Sequence, residues 1–329
     1  MSRTDSRNDI LIPSFMNKTS LRGGRALPAL VPSLLLLTFS CSHEAAHRTL
    51  KGESAPAPTA SKGPIQYTAI PDRNATELIE KYRLVSDYLA LQLGVPFEYV
   101  PTVDYNASVQ LFRSGDVQLA WFGGLTGVQA AEFVPGSRMI AQGKVDPAFK
   151  SYFVVHASVK IEKSDAFPMG LQGLKFTFGS EQSTSGRLMP EHFIRQNTRM
   201  SPKEFFGLAN AYSGSHDKTA LLVEAGTFQA GALNYKTYDD MVAAGKLDPA
   251  KCKVVWITPT YPDYNFTAHP LLDQRYGKGF TDRLQTTLVS IADPVVLEAL
   301  QRKEGLIPAD NEDWEFIRKV AAELDFLKP

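Results

Sequence analysis

A chain of 329 residues has material for about two domains, and 43% hydrophobic with 21% charged residues is ordinary globular composition, which argues against disorder and against a multispanning membrane fold. Thirty-five basic and 35 acidic residues cancel, so the chain has no electrostatic footprint for nucleic acid. Any anion has to be captured by a local arrangement of donors.

The opening of the chain reads as export apparatus. Lys18, Arg22 and Arg25 precede an apolar stretch at 26–39 that is too short for a membrane span. Ser40 and Cys41 close it as in a bacterial lipoprotein, although Thr38 stands where such sites carry Leu. Residues 1–41 are therefore expected to be a signal peptide with Cys41 as the lipidated residue, and 42–63, rich in Ser, Ala and Pro, a flexible tether. That places the folded body in the periplasm or cell envelope, lipid-anchored through Cys41. The other cysteine, Cys252, then has no disulfide partner.

His43-Glu44-Ala45-Ala46-His47 has zinc-protease spacing, but it follows the leader directly and runs into Pro-rich chain, without a rigid helix or a third ligand. No metal and no cofactor are expected. Ser215 and Lys218 have a serine-to-lysine spacing used by some acyltransferases, without the Lys-Thr-Gly that accompanies it.

The body alternates strand and helix. Residues 65–70 are β-rich, and Asn74 with Glu77 predicts a capping box opening a helix whose apolar face carries Leu78, Ile79, Tyr82, Val85, Leu89 and Leu93, stopped by Gly94. A strand at 97–100, a helix at 105–114 ended by Gly115 and a strand at 119–122 complete a β-α-β-α-β unit, the signature of a parallel sheet. The pattern resumes with strands at 175–178, 229–233 and 253–257 and with helices after Ser185 and Ser215. Helical stripes run through Phe280, Leu284 and Leu288 and through Trp314, Ile317 and Ala321, both of them core.

Chemistry concentrates at the strand ends. Gly179 to Gly186 places Ser183, Thr184 and Ser185 at a helix start, where hydroxyls, unpaired amides and the positive end of the dipole form an anion site; a plain N-cap needs one hydroxyl, not three. Ser213-Gly214-Ser215-His216-Asp217 repeats the logic, with His216 as an imidazole donor. In Trp121-Phe122-Gly123-Gly124-Leu125-Thr126 the glycines admit a ligand to the backbone at Phe122 and Gly123, and Thr126 can donate. Tyr105 and Tyr264 stand where phenols can reach a cleft.

These clusters in this order resemble the phosphate, phosphite and phosphonate class of ABC-transporter substrate-binding proteins. The resemblance rests on Ala69-Ile70-Pro71, Val103-Asp104-Tyr105, Leu119 to Gly123, Ser183-Thr184-Ser185-Gly186, Ser215-His216-Asp217 and Gly231-Ala232-Leu233-Asn234. Within the class, the run from Ala69 to Glu77 and the Pro262-Asp263-Tyr264-Asn265 segment look most like the branch labelled selenate-binding. The resemblance implies a type II periplasmic-binding-protein clamshell, two α/β lobes joined by a hinge, with 64–157 and 256–329 in lobe one and 158–255 in lobe two. It implies a monomer that binds a small oxyanion (phosphonate, phosphite or a selenium oxyanion) for an ABC permease, with no nucleic-acid partner. Ser183, Thr184, Ser185, His216 and Asp217 would face Tyr105, Phe122 and Gly123 across the cleft. Asp217 would either accept an oxyanion's proton or orient His216. The competing readings are an extracytoplasmic hydrolase, suggested by the His-Glu-Ala-Ala-His and Ser-His-Asp coincidences, and an oxyanion-sensing partner of a signalling receptor.

Overall fold

The computed structural model describes residues 63–328, so the expected leader, Cys41, the tether up to residue 62 and His43-Glu44-Ala45-Ala46-His47 lie outside the described residues. Residues 63–328 form two sheets, each covered by helices, with the two lobes of a periplasmic-binding-protein fold. In lobe one, β1 (Ile65–Ala69) pairs in parallel with β2 (Phe97–Tyr99) and β3 (Leu119–Phe122), joined by α1 (Ala75–Leu93) and α2 (Tyr105–Ser114). After α3 (Gly124–Phe133) and β4 (Arg138–Gly143) the chain crosses to lobe two, and it returns near the end to add β10 (Asn265–Ala268) and β11 (Leu306–Pro308). The six-stranded order is β11-β4-β10-β3-β1-β2.

Lobe two is built on β5 (Ser151–His156), β6 (Phe176–Phe178), β7 (Ala211–Tyr212), β8 (Ala230–Asn234) and β9 (Cys252–Ile257), in the order β7-β6-β8-β5-β9. Here β5 runs antiparallel between β8 and β9. The expected boundary at 157 is thus displaced: β5, assigned to lobe one on sequence, has all its ladder bonds in lobe two. The helices are α4 (Met189–Thr198), α5 (Pro202–Phe206), α6 (His216–Glu224) and α7 (Tyr235–Ala243). Lobe one takes the last four, α8 (Leu271–Tyr276), α9 (Phe280–Val289), α10 (Pro294–Ala299) and α11 (Glu315–Glu323).

Local chemistry explains the element ends near the cleft. Asn74 caps α1 by accepting from the Thr76 and Glu77 amides, and Gly94 closes it in a left-handed conformation. The expected capping box does not close, because the Glu77 carboxylate pairs with Lys246 of lobe two at 2.7 Å. Ile79, expected on the apolar face, is 41% exposed; Leu78, Tyr82, Val85 and Leu89 make that face.

Candidate functional site

The two lobes meet over the ends of β1, β3, β6 and β8, and the turn after β6 shows how a cluster of donors is held there. Ser183 caps a turn of π-helix at Thr184–Leu188 that runs directly into α4. Pro190 has no amide hydrogen to give the Gly186 carbonyl one turn earlier. That carbonyl instead accepts from the Gly179 amide at 2.8 Å and ties the helix start to the end of β6. Ser183 Oγ accepts from the Gly186 amide at 2.9 Å, whereas the Thr184 and Ser185 amides, in the first turn, have no intrahelical acceptor. Ser183, Thr184 and Ser185 are all buried, at 2% exposure or less. The opening of a helix, with its dipole, is therefore aimed into protein and not into water.

His216 lies beside this turn. A Cβ on Gly186 would meet His216 Cε1 at 3.1 Å, so only glycine leaves room for the ring. Burial, with the Arg73 charge, pushes the imidazole down to about 3, and Nδ1 accepts from the Asn234 amide at 3.3 Å. The ring is neutral at any physiological pH, and Nε2 carries the proton as a donor.

Across from the turn, α3 offers its own N-terminus. The Leu125 amide donates to Thr184 Oγ1 at 2.9 Å and the Gly124 amide to Asp263 Oδ1 at 3.0 Å. Gly123 allows the approach: a Cβ there would sit 3.1 Å from Thr184 Oγ1 and 3.2 Å from Asp263 Oδ1. Asp263 is held rigidly, its carbonyl accepting from Trp314 Nε1 at 2.7 Å and its amide donating to the Asp146 carbonyl at 3.1 Å. Burial raises its carboxyl to about 7, against the lowering effect of the Gly124 amide and of the nearby Thr184 and Ser185 hydroxyls. Its second oxygen, Oδ2, is buried without a hydrogen bond, as is the Tyr105 hydroxyl.

The structure thus gathers Tyr105, Gly123, Ser183, Thr184, Ser185 and His216, named on sequence, and adds Asp263. Other expected residues have different work. Phe122 is fully buried and packs edge-on against Phe112, 5.6 Å between centroids. Thr126 Oγ1 donates to the Gly123 carbonyl at 3.1 Å, a bond internal to the start of α3. The Tyr264 hydroxyl is engaged twice, donating to Asp72 Oδ2 at 2.7 Å and accepting from Asn234 Nδ2 at 3.1 Å. Asp217 accepts from Ser215 Oγ and lines an open groove at the lobe boundary, so it neither meets the free acceptor position nor holds His216, whose Nδ1 is taken by a backbone amide. In the sequence Asp263 is legible only as a member of the Pro262-Asp263-Tyr264-Asn265 segment; its burial is the missing signal.

The family described as ABC transporter, phosphonate, periplasmic substrate-binding protein matches residues 67–314. The chain is 38% identical over 267 residues to the "Probable ABC transporter phosphite binding protein PhnD1" of Prochlorococcus marinus, covering 79% of this chain and 89% of that one. It is 26% identical over 324 residues to a phosphate-import protein of Mycolicibacterium smegmatis, covering 91% and 96%. The crystal structure of the Prochlorococcus protein in complex with methylphosphonate superposes with a TM-score of 0.75 at 37% identity, over 80% of this chain and 99% of that one.

Proposed function

We propose that this chain, which belongs to the family of periplasmic substrate-binding proteins of phosphonate ABC transporters, captures a phosphorus oxyanion that shares one proton with Asp263. The chain is the binding component of an importer and not an enzyme; its partners are a small molecule and a permease, and it works outside the cytoplasm.

The observation that carries the ligand reading is the pairing of opposites in one buried place. The helix start at Thr184, the Tyr105 hydroxyl and His216 Nε2 supply donors, while Asp263 Oδ2 is a free acceptor. A tetrahedral anion with several bare oxygens and one O–H matches that set, because each oxygen meets a donor and the hydroxyl meets the carboxylate. The phosphite in the name of the related Prochlorococcus protein, and the methylphosphonate in its crystal structure, support the same class here. Sulfate and selenate have no proton to bring. They engage Asp263 only when its carboxyl is itself protonated, and otherwise two acceptors face each other in a dry site.

Closure around the anion would then present a joined two-lobe surface to the permease. The chain is proposed to act as a monomer held to the membrane by a lipid on Cys41. Titration calorimetry with phosphite, methylphosphonate, phosphate, sulfate and selenate at pH 7 tests the ligand assignment: saturable one-to-one binding led by a phosphorus oxyanion is expected, and a preference for sulfate or selenate overturns it.

A further inference from the structure

Resting on that reading of the cleft, we propose that Arg73 is the positioning residue that holds the cleft shut, by reaching from the loop after β1 in lobe one to the N-terminal part of α7 in lobe two. The Arg73 side chain is only 9% exposed, far less than a surface arginine. Its Nη2 donates to Thr237 Oγ1 in the first turn of α7 at 3.0 Å, and Nη1 lies 3.6 Å from Asp240 Oδ2 on the same helix. The carbonyl of the preceding residue, Asp72, accepts from the His216 amide at 2.9 Å and so caps α6 from the opposite lobe.

The neighbouring bonds make this a latch and not an isolated contact. Asp72 Oδ2 accepts from the Tyr264 hydroxyl, which accepts in turn from Asn234 Nδ2. Asn234 is the N-cap of α7, accepting from the Thr237 amide at 2.6 Å, and its own amide donates to His216 Nδ1. The residue that Arg73 grips, Thr237, is therefore one hydrogen bond from the residue that fixes the ring of His216. Asp240 offsets the repulsion that a cation meets at a helix N-terminus. The Glu77–Lys246 pair nearby also spans the lobes, but both side chains are about half exposed, at 44% and 59%, and such pairs contribute little.

Beyond the latch lies a groove of about 700 Å³, lined on one lobe by Arg73, Asn74 and Glu77 and on the other by Asp217, Thr237 and Lys246. Arg73 lines this groove, and its neighbour Asp72 holds the His216 amide. A ligand leaving toward the groove has to break the bond to Thr237 first, so the latch governs departure more than arrival.

The test is Arg73→Ala beside Arg73→Lys, with phosphite as probe. Dissociation followed by stopped flow is expected to be about tenfold to a hundredfold faster in Arg73→Ala, the range for a lost charged hydrogen bond, while association changes less than about threefold. Arg73→Lys, which keeps the charge but not the fork, falls between. Small-angle scattering of the intact chain without added anion should show a larger radius of gyration for Arg73→Ala than for wild type. Unchanged dissociation and an unchanged radius of gyration overturn the latch. If wild type binds no phosphite, the ligand assignment fails, and the scattering comparison still decides the latch by itself.

Discussion

Replacing Asp263 by Asn tests the chemistry on which the ligand assignment depends, and its effect on the empty protein can be worked out first. The folded carboxyl sits at about 7 against an ordinary 3.8, because burial penalises the carboxylate more than the Gly124 amide relieves it. Below about pH 4 the group is protonated in both folded and unfolded chains and contributes its full stability. Between about pH 4 and 7 the unfolded chain releases its proton while the folded one keeps it, so stability falls as pH rises through that window and levels off above it. From 3.8 to about 7, at 1.36 kcal/mol per pH unit, the loss is about 4 kcal/mol. Urea unfolding at half-unit steps from pH 4 to 8 should show that decline in wild type, and Asp263→Asn, which keeps an oxygen for the Gly124 amide but cannot titrate, should lack it. Equal slopes for the two proteins refute a raised carboxyl at this position.

The same proton shapes binding. A complex that holds one proton between Asp263 and the ligand needs one of the two partners, and not both, to bring it. With a phosphorus oxyanion whose own second ionisation lies near pH 6, as phosphate esters have, affinity peaks near neutrality and falls by up to tenfold per pH unit on either side. Sulfate and selenate carry no proton, so their affinity rises on acidification and reaches a plateau below about pH 7. Calorimetry across pH separates these profiles, and Asp263→Asn, which offers a permanent N–H donor, should flatten the sulfate and selenate profile and remove the alkaline limb of the phosphite one, leaving the acid limb that comes from the ligand's own ionisation. A phosphite profile without an acid limb refutes the shared proton even if the stability measurement succeeds.

Thr184→Ala with Ser185→Ala is expected to weaken phosphite binding by roughly 1–3 kcal/mol through lost hydroxyl donors, with a smaller loss of fold stability, both read by calorimetry and thermal unfolding. Tyr105→Phe removes a buried hydroxyl that makes no hydrogen bond, so it should leave the empty protein as stable or up to about 1 kcal/mol more stable while weakening binding. Arg302→Met strands Asp146, fully buried and held by the guanidinium through bonds of 2.6 and 2.7 Å, and should cost about 3–5 kcal/mol in urea unfolding. For Cys41, mass spectrometry of the exported protein should find a mature chain beginning at a lipid-bearing Cys41; an unmodified Cys41 inside an intact tether would remove the anchor.

Much of the fold is legible in the order of residues, and the misses share a cause. Repeating strand–helix signals mark β1 to β3 and the helices between them, since Asn74, Gly94 and Gly115 act through local chemistry. The hydroxyl run at 183–185 stands out because it exceeds what a cap requires. Local pattern puts β5 in the wrong lobe because its sheet is decided by pairing with β8 and β9, roughly 75 to 105 residues further on. Thr126 looks like a donor and is one, but to its own helix start. Asp217 draws attention because it adjoins His216 in sequence, whereas Asp263 reaches the site through tertiary folding and owes its chemistry to burial.

The charge arrangement explains how a neutral protein can hold an anion and still choose among anions. Among the arginines near the cleft, Arg187 is committed to Glu191 and Tyr212 and Arg302 to Asp146, while Arg73 turns its Nη groups to Thr237 and Asp240 and keeps a buried Nε without a hydrogen bond. With most arginine donors taken, the attraction in the proposed site comes from amides, hydroxyls and a helix dipole, which act over short range and reward the position of each oxygen more than total charge. A site of that kind gains little from a second negative charge on its ligand, and the carboxyl of Asp263 makes that charge costly unless a proton lies between them. In the proposed site, selectivity rests on proton inventory, and retention on keeping water out of the closed cleft, where each unmet donor costs most. The two requirements meet at His216, whose Nε2 is proposed to face the anion while its Nδ1 is fixed by the Asn234 amide and its backbone amide is held by Asp72 from the opposite lobe.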